Sequence, residues 1–233
     1  MWRIATNKHD TADDLRIKLV SLLTAEGIEP KDVDAAALSS VVPLLAKAWE
    51  QALREHAGVE ARVCTASIAK EAGLFEADYP NPREIGADRV ADAIAARRLY
   101  GAPVIVVDFG TATNIEVIDE RGRFRGGIIA PGMGTGADAM FSHAARLPQV
   151  DIVEPGHVIG TNTVDAMRSG IVFGEVARID GLVRAIFDEL GYEAPVIATG
   201  GFSNVIAGLS QTITRREPRL TLHGLRLVHE KNR

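Results

Sequence analysis

The sequence predicts an α/β protein of two packed lobes, over residues 1–102 and 103–233. Helix signals dominate the first lobe, where Thr11 and Asp14 form an acidic capping box ahead of leucines at helical spacing. The second lobe opens with Val104–Asp108, a continuous apolar run that ends in an acid, as central strands do. Because no linker, charge run or low-complexity stretch separates the lobes, we expect them to be closely packed.

Caps, turn residues and hydrophobic spacing predict the elements of both lobes. In the first lobe they are a helix between Thr11 and Gly27, a strand within 34–39, a helix over 43–55, a strand over 61–65 and a helix over 89–100. In the second lobe they are strands over 104–108, 114–119 and 126–130, a helix near 137–147, a strand near 150–153, a helix over 163–190, a strand over 196–199, and helices near 204–210 and 220–230.

The composition is that of a folded globular protein, with 46% hydrophobic and 24% charged residues. A formal net charge of -5 argues against a nucleic-acid or anionic-membrane binder, which would carry a basic excess. The single cysteine, Cys64, excludes a disulfide framework and any multi-cysteine metal site. The sequence shows no signal segment and no apolar run of about 20 residues, so we expect a cytoplasmic protein without membrane contact.

The segment Asp108–Thr113 could carry chemistry. An acid at the end of a buried strand, followed by glycine and threonine in a tight hairpin, makes a small polar cradle. Gly110 allows the backbone to approach a ligand closely, and backbone N–H groups and threonine hydroxyls can face phosphate oxygens. Asp108 can hold a cation that neutralises those oxygens. The alternative is a plain glycine hairpin with an acid that faces solvent.

A second candidate segment is Gly86–Arg89, directly before a predicted helix. Asp88 could be an ordinary N-cap of that helix. In a functional interpretation, Asp88 accepts a hydroxyl proton, and the guanidinium of Arg89 offers a fork to a carboxylate. An acid beside a fixed cation suits a substrate that carries both a hydroxyl and a carboxylate.

The long second-lobe helix begins at a third candidate segment. Asn162 and Asp165 can cap its N-terminus, and Thr163 could hydrogen-bond a ligand at a helix end that favours anions. Gly170 and Gly174 lie four residues apart in the same helix. This spacing indicates close helix contact, as across a dimer interface.

The segment Gly132–Ala137 fits the dinucleotide fingerprint G-x-G-x-x-A, with Asp151 and Glu154 about 20 residues further on. A functional fingerprint would make the chain a dinucleotide-dependent oxidoreductase. Two features argue against it. Pro131 directly precedes the first glycine, and the strand before it belongs to an apparent hairpin instead of a parallel unit.

Taken together, these segments resemble the type III pantothenate kinases, in order and along nearly the whole chain. No single segment is decisive, but the ordered set is specific. The matching segments are Trp2–Thr6 with Thr11–Asp13, Ser39–Pro43, Tyr79–Pro82, Gly86–Arg89, Asp108–Thr113, Gly126–Gly132, Ala145–Pro148, Gly160–Thr163, Ala198–Gly201, Leu220–Leu222 and Gly224–Leu225.

The resemblance implies an actin-like, sugar-kinase-like fold of two ribonuclease-H-like lobes around a nucleotide cleft. It implies transfer of the ATP γ-phosphate to the primary hydroxyl of pantothenate, the first step of coenzyme A biosynthesis. The implied enzyme is a homodimer that shares its pantothenate pocket across the interface. It needs Mg²⁺ and a monovalent cation, K⁺ or NH₄⁺.

The resemblance also implies roles for the matching residues. Asp88 is similar to the family's general base, and Asp108 to its ligand for the monovalent cation. The implied pantothenate contacts are Tyr79, Gly86, Ala87, Asp88, Arg89 and Thr163, and the implied ATP contacts are Gly110, Thr111, Thr113, Gly200 and Gly201.

The family opens with a strand and a first phosphate loop of D-x-G-N-T type, which this sequence does not include. We therefore expect the first lobe to lack its opening strands and the activity of this chain to be impaired. The alternative is a non-catalytic regulatory or binding relative of the same fold, which would bind pantothenate or a partner protein without turnover.

Overall fold

The computed structural model describes residues 1–144 and 147–232, which divide into two compact units. Unit one comprises Met1–Phe75, Asn81–Ile94 and Thr221–Arg233, and unit two comprises Glu76–Pro80 and Ala95–Leu220. Ala145 and Arg146, which open one of the matching segments, lie outside the described residues. Among the described residues, no helix has the length and apolar character needed to span a bilayer.

Unit one is mainly helical, with one small sheet in which β1 (Ala36–Leu38) pairs in parallel with β2 (Ala61–Val63). Its helices are α1 (Ala12–Ala25), α2 (Pro43–Ala57), α3 (Ala66–Glu71), the first part of α4 (Ala87–Tyr100) and most of α8 (Leu220–Lys231). Leu15 of α1 packs with Leu45 and Ala52 of α2 in a buried cluster.

Local signals set the helix boundaries of unit one. Thr11 caps α1, and the Asp14 side chain accepts a hydrogen bond from the Thr11 backbone, so the predicted capping box is confirmed. Pro43 lies in the first turn of α2, where its missing N–H removes no intrahelical bond. Gly58 ends α2 at a φ of +69°, a conformation that glycine adopts without steric cost.

Unit two is built on a five-stranded sheet of order β5-β4-β3-β6-β7. Its strands are β3 (Val104–Phe109), β4 (Ala112–Ile118), β5 (Phe124–Pro131), β6 (Val196–Gly200) and β7 (Arg215–Arg216). The first three form an antiparallel meander, and β6 and β7 add in parallel on the other side of β3. These are the order and directions of a ribonuclease-H-like sheet, so the predicted α/β fold class is confirmed.

The central strand β3 is buried along its apolar run. Val104, Ile105, Val106 and Val107 are each 0% exposed. Helix α6 (Thr163–Leu190) shares the core with this strand through Val172, Ile179 and Val183. The continuous apolar pattern of 104–107 therefore reflects a strand covered on both faces, as predicted.

The connections of unit two differ from the predicted elements. Helix α5 (Met133–His143) begins inside the glycine-rich segment, earlier than expected, and the Thr111 carbonyl accepts hydrogen bonds from its N-cap Gly132 and from Thr135. The prediction of a strand near 150–153 is wrong, because none of the described strands pairs with those residues. Helix α7 (Ser203–Ile206) is shorter than predicted, and β7 and α3 were too short to produce a periodic signal.

A buried carboxylate joins α6 to the turn before β7. Asp180 is 6% exposed, and it accepts hydrogen bonds from the Ser210 and Thr212 hydroxyls and from the backbone N–H groups of Gln211 and Thr212. Burial alone would raise the pKa of Asp180. The hydrogen bonds from this turn outweigh burial and lower that pKa below its ordinary value.

We expect Asp180→Asn to lower the free energy of unfolding by about 2 kcal/mol at neutral pH, since charge-assisted hydrogen bonds are lost. A carboxyl whose pKa is lowered in the folded state stabilises the protein above its unfolded pKa of about 3.9. The difference between wild type and Asp180→Asn should therefore hold from about pH 5 to 8 and shrink as the pH falls below about 4.

Urea unfolding at several pH values measures this difference. Asp188→Asn is the matched control, because Asp188 is exposed on the same helix. It should change stability by less than about 0.5 kcal/mol. Equal effects of the two substitutions would contradict the role given to Asp180.

Candidate active site

Asp108 lies at the end of β3, where the β3–β4 hairpin turns through Gly110 and Thr111. The Gly110 N–H donates to the Ala112 carbonyl at 3.0 Å and closes the turn. A Cβ on Gly110 would lie 3.7 Å from Oδ2 of Asp108, and Thr111 is exposed at the tip. The acid, the glycine and the threonine therefore lie together at one end of the sheet.

Gly200 ends β6 beside the same carboxylate. Parallel pairing places Thr199 opposite Asp108 and Gly200 opposite Phe109. Gly200 has a φ of +87°, and a Cβ there would overlap Oδ1 of Asp108 and lie 2.6 Å from the backbone nitrogen of Phe109. Only glycine fits at this position, and its missing side chain makes room for the carboxylate.

The turn after β6 is also held by side chains. The Ser203 hydroxyl donates to the Gly200 carbonyl at 2.9 Å, and Nε of Arg216 donates to the Ser203 hydroxyl at 3.0 Å. Gly201 lies exposed in this turn. The two predicted ATP contacts in this segment, Gly200 and Gly201, therefore follow the strand that lies directly beside Asp108.

The N-terminus of α5 holds the hairpin backbone. The Gly132 N–H and the Thr135 hydroxyl both donate to the Thr111 carbonyl, at 3.1 and 2.7 Å. The strand before these glycines, β5, is an edge strand that runs antiparallel to β4. A dinucleotide fingerprint needs a parallel strand–helix–strand unit, which is not what precedes these glycines. Gly132 instead packs against the hairpin, because a Cβ there would lie 2.4 Å from the Gly110 carbonyl oxygen and 2.5 Å from that of Thr111.

Thr113 follows the hairpin but points into the protein. It is 1% exposed, and its hydroxyl donates to Oε1 of Glu175 at 2.8 Å. Thr113 thus differs from the exposed Thr111, although both were predicted to contact ATP. A contact between Thr113 and ATP stays a prediction, and the observed hydrogen bond joins the hairpin to α6.

In unit one, Asp88 lies in the first turn of α4 instead of at its N-cap. Its Oδ1 accepts the backbone N–H of Arg89 at 2.9 Å. A Cβ on Gly86 would lie 2.5 Å from that oxygen and 3.7 Å from Cγ1 of Val41, so glycine leaves space for the carboxylate. Asp88 is half-buried, and Arg89 is only 8% exposed.

Cys64, for which the sequence predicted no role, lies close enough to Asp88 for the negative charge of Asp88 to affect the pKa of its thiol. Burial raises the pKa of the Cys64 thiol to about 11, and the negative charge of Asp88 adds to that shift. Cys64 follows β2, and its N–H donates to the Leu38 carbonyl at the end of β1. Asp88 therefore lies near the carboxyl ends of a parallel strand pair, a common place for ligands.

The two remaining predicted contacts belong to unit two. The Tyr79 ring packs edge-on against Phe124 at 6.1 Å, and a Cβ on Gly126 would lie 3.7 Å from it. Thr163 is exposed at the start of α6, where the Asn162 side chain accepts the Asp165 N–H, so the predicted cap is confirmed. Neighbours such as Cys64 and Glu175 were missed because their partners are distant in sequence.

Comparison with known proteins decides the family. The family model for type III pantothenate kinase matches residues 1–185. The chain belongs to the type III pantothenate kinase family. The type III pantothenate kinase of Roseiflexus castenholzii is 45% identical over 233 residues, which are 100% of this chain and 90% of the relative. The type III pantothenate kinase of Moorella thermoacetica is 40% identical over 231 residues, which are 99% of this chain and 90% of the relative. The resemblance drawn from the motifs is confirmed, and with it an enzyme of the kinase class.

The chain is also similar to solved structures. A Campylobacter jejuni protein assigned to the Baf family of transcriptional activators aligns with a TM-score of 0.51 and 21% identity, over 78% of this chain and 77% of that protein. At this identity, the likeness shows a shared fold. An inorganic polyphosphate/ATP-glucomannokinase from Arthrobacter sp. strain KM aligns at a TM-score of 0.46 and 12% identity, over 99% of this chain and 87% of that protein.

We expect Gly200→Ala to destabilise the protein more than Gly191→Ala. Both glycines have positive φ, +87° and +78°, but a Cβ on Gly191 would meet no atom within 4 Å. The left-handed conformation costs alanine about 1–2 kcal/mol at either site. Overlap with Asp108 and Phe109 should add about 2 kcal/mol at Gly200 alone. Urea unfolding measures both variants, and equal losses would show that Gly200 is not crowded.

Proposed function

We propose that this chain phosphorylates pantothenate with ATP to give 4'-phosphopantothenate, the first step of coenzyme A biosynthesis. The observation that carries the proposal is the contact between Asp108, the β3–β4 hairpin and Gly200. This arrangement brings a glycine-containing turn, an exposed threonine hydroxyl and a carboxylate together at one strand end. Phosphoryl transfer depends mainly on positioning and charge neutralisation, which such groups supply without a covalent intermediate.

In this proposal, unit two binds the nucleotide. Gly110 and Thr111 contact the phosphates of ATP through the hairpin, and Gly200 and Gly201 lie on the side of the adenosine. The Ser203 hydroxyl already holds the Gly200 carbonyl, which fixes the backbone of this turn. Thr113 supports the hairpin from inside the protein.

The residues at this end of the sheet fit the cations that the family implies. Asp108 offers a partly exposed carboxylate beside two glycines, and hard cations prefer oxygen ligands of this kind. No cluster of three His, Cys, Asp or Glu side chains suited to a metal occurs within 1–144 and 147–232. Asp108 would hold K⁺ or NH₄⁺, whereas Mg²⁺ would be held mostly by ATP phosphates, as is usual for kinases. These cations would neutralise charge on the phosphate oxygens.

Unit one supplies the proposed catalytic base. Asp88 accepts the proton of the primary hydroxyl of pantothenate as that oxygen attacks the γ-phosphorus, and the bond from phosphorus to ADP breaks. Gly86 and Ala87 leave space around the carboxylate, and Arg89, Tyr79 and Thr163 are the further proposed contacts for pantothenate. The charge of Arg89 suits the pantothenate carboxylate.

We expect Asp88→Asn to lower kcat by about 10²-fold or more, because a general base typically contributes 10²–10⁴-fold. Affinity for pantothenate should change by less than about threefold, since the amide has the same shape. A coupled ADP-release assay with Mg²⁺ and K⁺ measures turnover, and calorimetry measures binding. Asp34→Asn is the matched control, because Asp34 is exposed in the same unit.

The outcomes of this pair of measurements separate the candidate functions. Pantothenate-dependent ADP release that falls in Asp88→Asn but not in Asp34→Asn supports the kinase. Pantothenate binding without any ADP release would favour the non-catalytic relative. Identical turnover by wild type and Asp88→Asn would overturn the role of Asp88.

We also propose that the enzyme is a homodimer that packs through α6. Between Asp165 and Arg184, every exposed residue of α6 is glycine or alanine, namely Ala166, Gly170, Gly174, Ala177 and Gly181. A Cβ on Gly170 or Gly174 would meet no atom within 4 Å, so the close contact predicted for them is not made by residues 1–144 and 147–232 of the same chain. Small residues in a row let a second helix approach closely, which supports a second copy as the partner.

We expect Gly174→Arg to shift the protein from dimer to monomer in sedimentation equilibrium, because the long side chain would separate the helices. Gly208→Arg is the control, since Gly208 is also exposed and a Cβ there would meet no atom within 4 Å. It should leave the dimer intact. A dimer that survives Gly174→Arg with unchanged affinity would show that this face is not the interface.

A further inference from the structure

We propose that Glu175 is a positioning residue that holds the β3–β4 hairpin in the geometry that binds ATP. The claim that the hairpin binds ATP rests on the proposed function. The claim that Glu175 holds the hairpin rests on the hydrogen bonds that one turn of α6 makes to β4 and β5.

Both carboxylate oxygens of Glu175 are engaged, although the residue is only 5% exposed. Oε1 accepts the hydroxyl of Thr113 at 2.8 Å, and Oε2 pairs with the guanidinium of Arg178, three residues further along α6. A buried carboxylate without partners would be strongly destabilising. Each partner therefore fixes the carboxylate, and the carboxylate in turn fixes the Thr113 side chain.

Arg178 extends this arrangement to the second strand. Its Nη2 donates to the Pro131 carbonyl at 2.9 Å. Pro131 ends β5 opposite Ala112, and Thr113 lies opposite Ala130 on the same pair of strands. Glu175 and Arg178 therefore bind β4 where it begins and β5 where it ends, directly beneath Gly110 and Thr111.

A role in geometry explains this ion pair better than a role in stability. The Glu175 side chain is 5% exposed and that of Arg178 is 32% exposed, and neither exposed nor buried ion pairs reliably add stability. Charge-assisted hydrogen bonds, however, are short and directional. The Thr111 carbonyl is already held by Gly132 and Thr135 of the α5 segment. With α6 holding the strand ends as well, the hairpin turn and its exposed Thr111 stay preorganised for phosphate oxygens.

The test compares Glu175→Ala, Glu175→Gln, Thr113→Val and the double variant Thr113→Val/Glu175→Ala. We expect Glu175→Ala and Thr113→Val each to raise the Kd for ATP about tenfold and to leave the Kd for pantothenate within about twofold. Glu175→Gln keeps an acceptor for the Thr113 hydroxyl and should restore most of the ATP affinity. The double variant should be no worse than either single variant, because both remove the same contact.

Glu189→Ala is the matched control, since Glu189 is exposed on the same helix, and it should bind ATP as the wild type does. Additive losses of about a hundredfold in the double variant would show that Thr113 contacts ATP independently of Glu175. Equal losses of ATP and pantothenate affinity would indicate a general structural role. Either result would overturn the proposal.

Hydrogen exchange tests the positioning without any nucleotide. In Glu175→Ala, the amides of 109–114 should exchange about tenfold faster, while those of 104–106 keep their wild-type rates. Unchanged exchange in the hairpin would overturn the proposal even if the chain is a kinase. If the wild type binds no ATP, the proposed function fails, and hydrogen exchange still decides whether Glu175 holds the hairpin. Should Glu175→Ala not fold, Thr113→Val serves in its place, because valine matches threonine in shape.

Discussion

The carboxylate of Asp108 and the missing side chain of Gly200 form a single constraint. Because β3 and β6 pair in parallel, their carboxyl ends meet, and the acid on one strand excludes a Cβ on the other. A tight hairpin starts directly after the acid. Two further hydrogen bonds hold the backbone around this contact. The Ser203 hydroxyl donates to the Gly200 carbonyl, and the Thr135 hydroxyl of α5 donates to the Thr111 carbonyl. The geometry of the proposed nucleotide side is therefore determined by where two buried strands end.

The elements that the sequence predicted well are those that short-range chemistry specifies. The Thr11 capping box, Pro43 and the Asn162 cap each act within one helical turn, and all are found where the residues indicated. The contacts that were missed join distant residues. Thr113 and Glu175 are 62 positions apart, and nothing in either local pattern names the other as its partner. The proximity of Cys64 to Asp88 likewise depends on how β2 and α4 pack.

The glycine-rich segment Gly132–Ala137 shows how one local pattern fits two structures. A glycine after a strand and before a helix allows close packing in a dinucleotide site, and here Gly132 allows it against the backbone of Gly110 and Thr111. What separates the two is the direction of the preceding strand, and that depends on residues far outside the motif. Gly122 and the short turn around it make β5 antiparallel to β4. The hairpin turn was therefore better evidence than the fingerprint itself.

In helix α6, hydrophobic periodicity alone is a poor guide to which residues are buried. Its buried face carries two acids. Glu175 accepts a hydrogen bond from Thr113 of β4, and Asp180 accepts hydrogen bonds from the turn before β7. Between Asp165 and Arg184, its exposed positions carry glycine and alanine instead of charged residues. Polar groups inside and small residues outside weaken the usual contrast between the two faces. A helix that binds a hairpin through one buried acid and a turn through another cannot also show a clean amphipathic pattern, so its sequence indicates these contacts only once the partners are known.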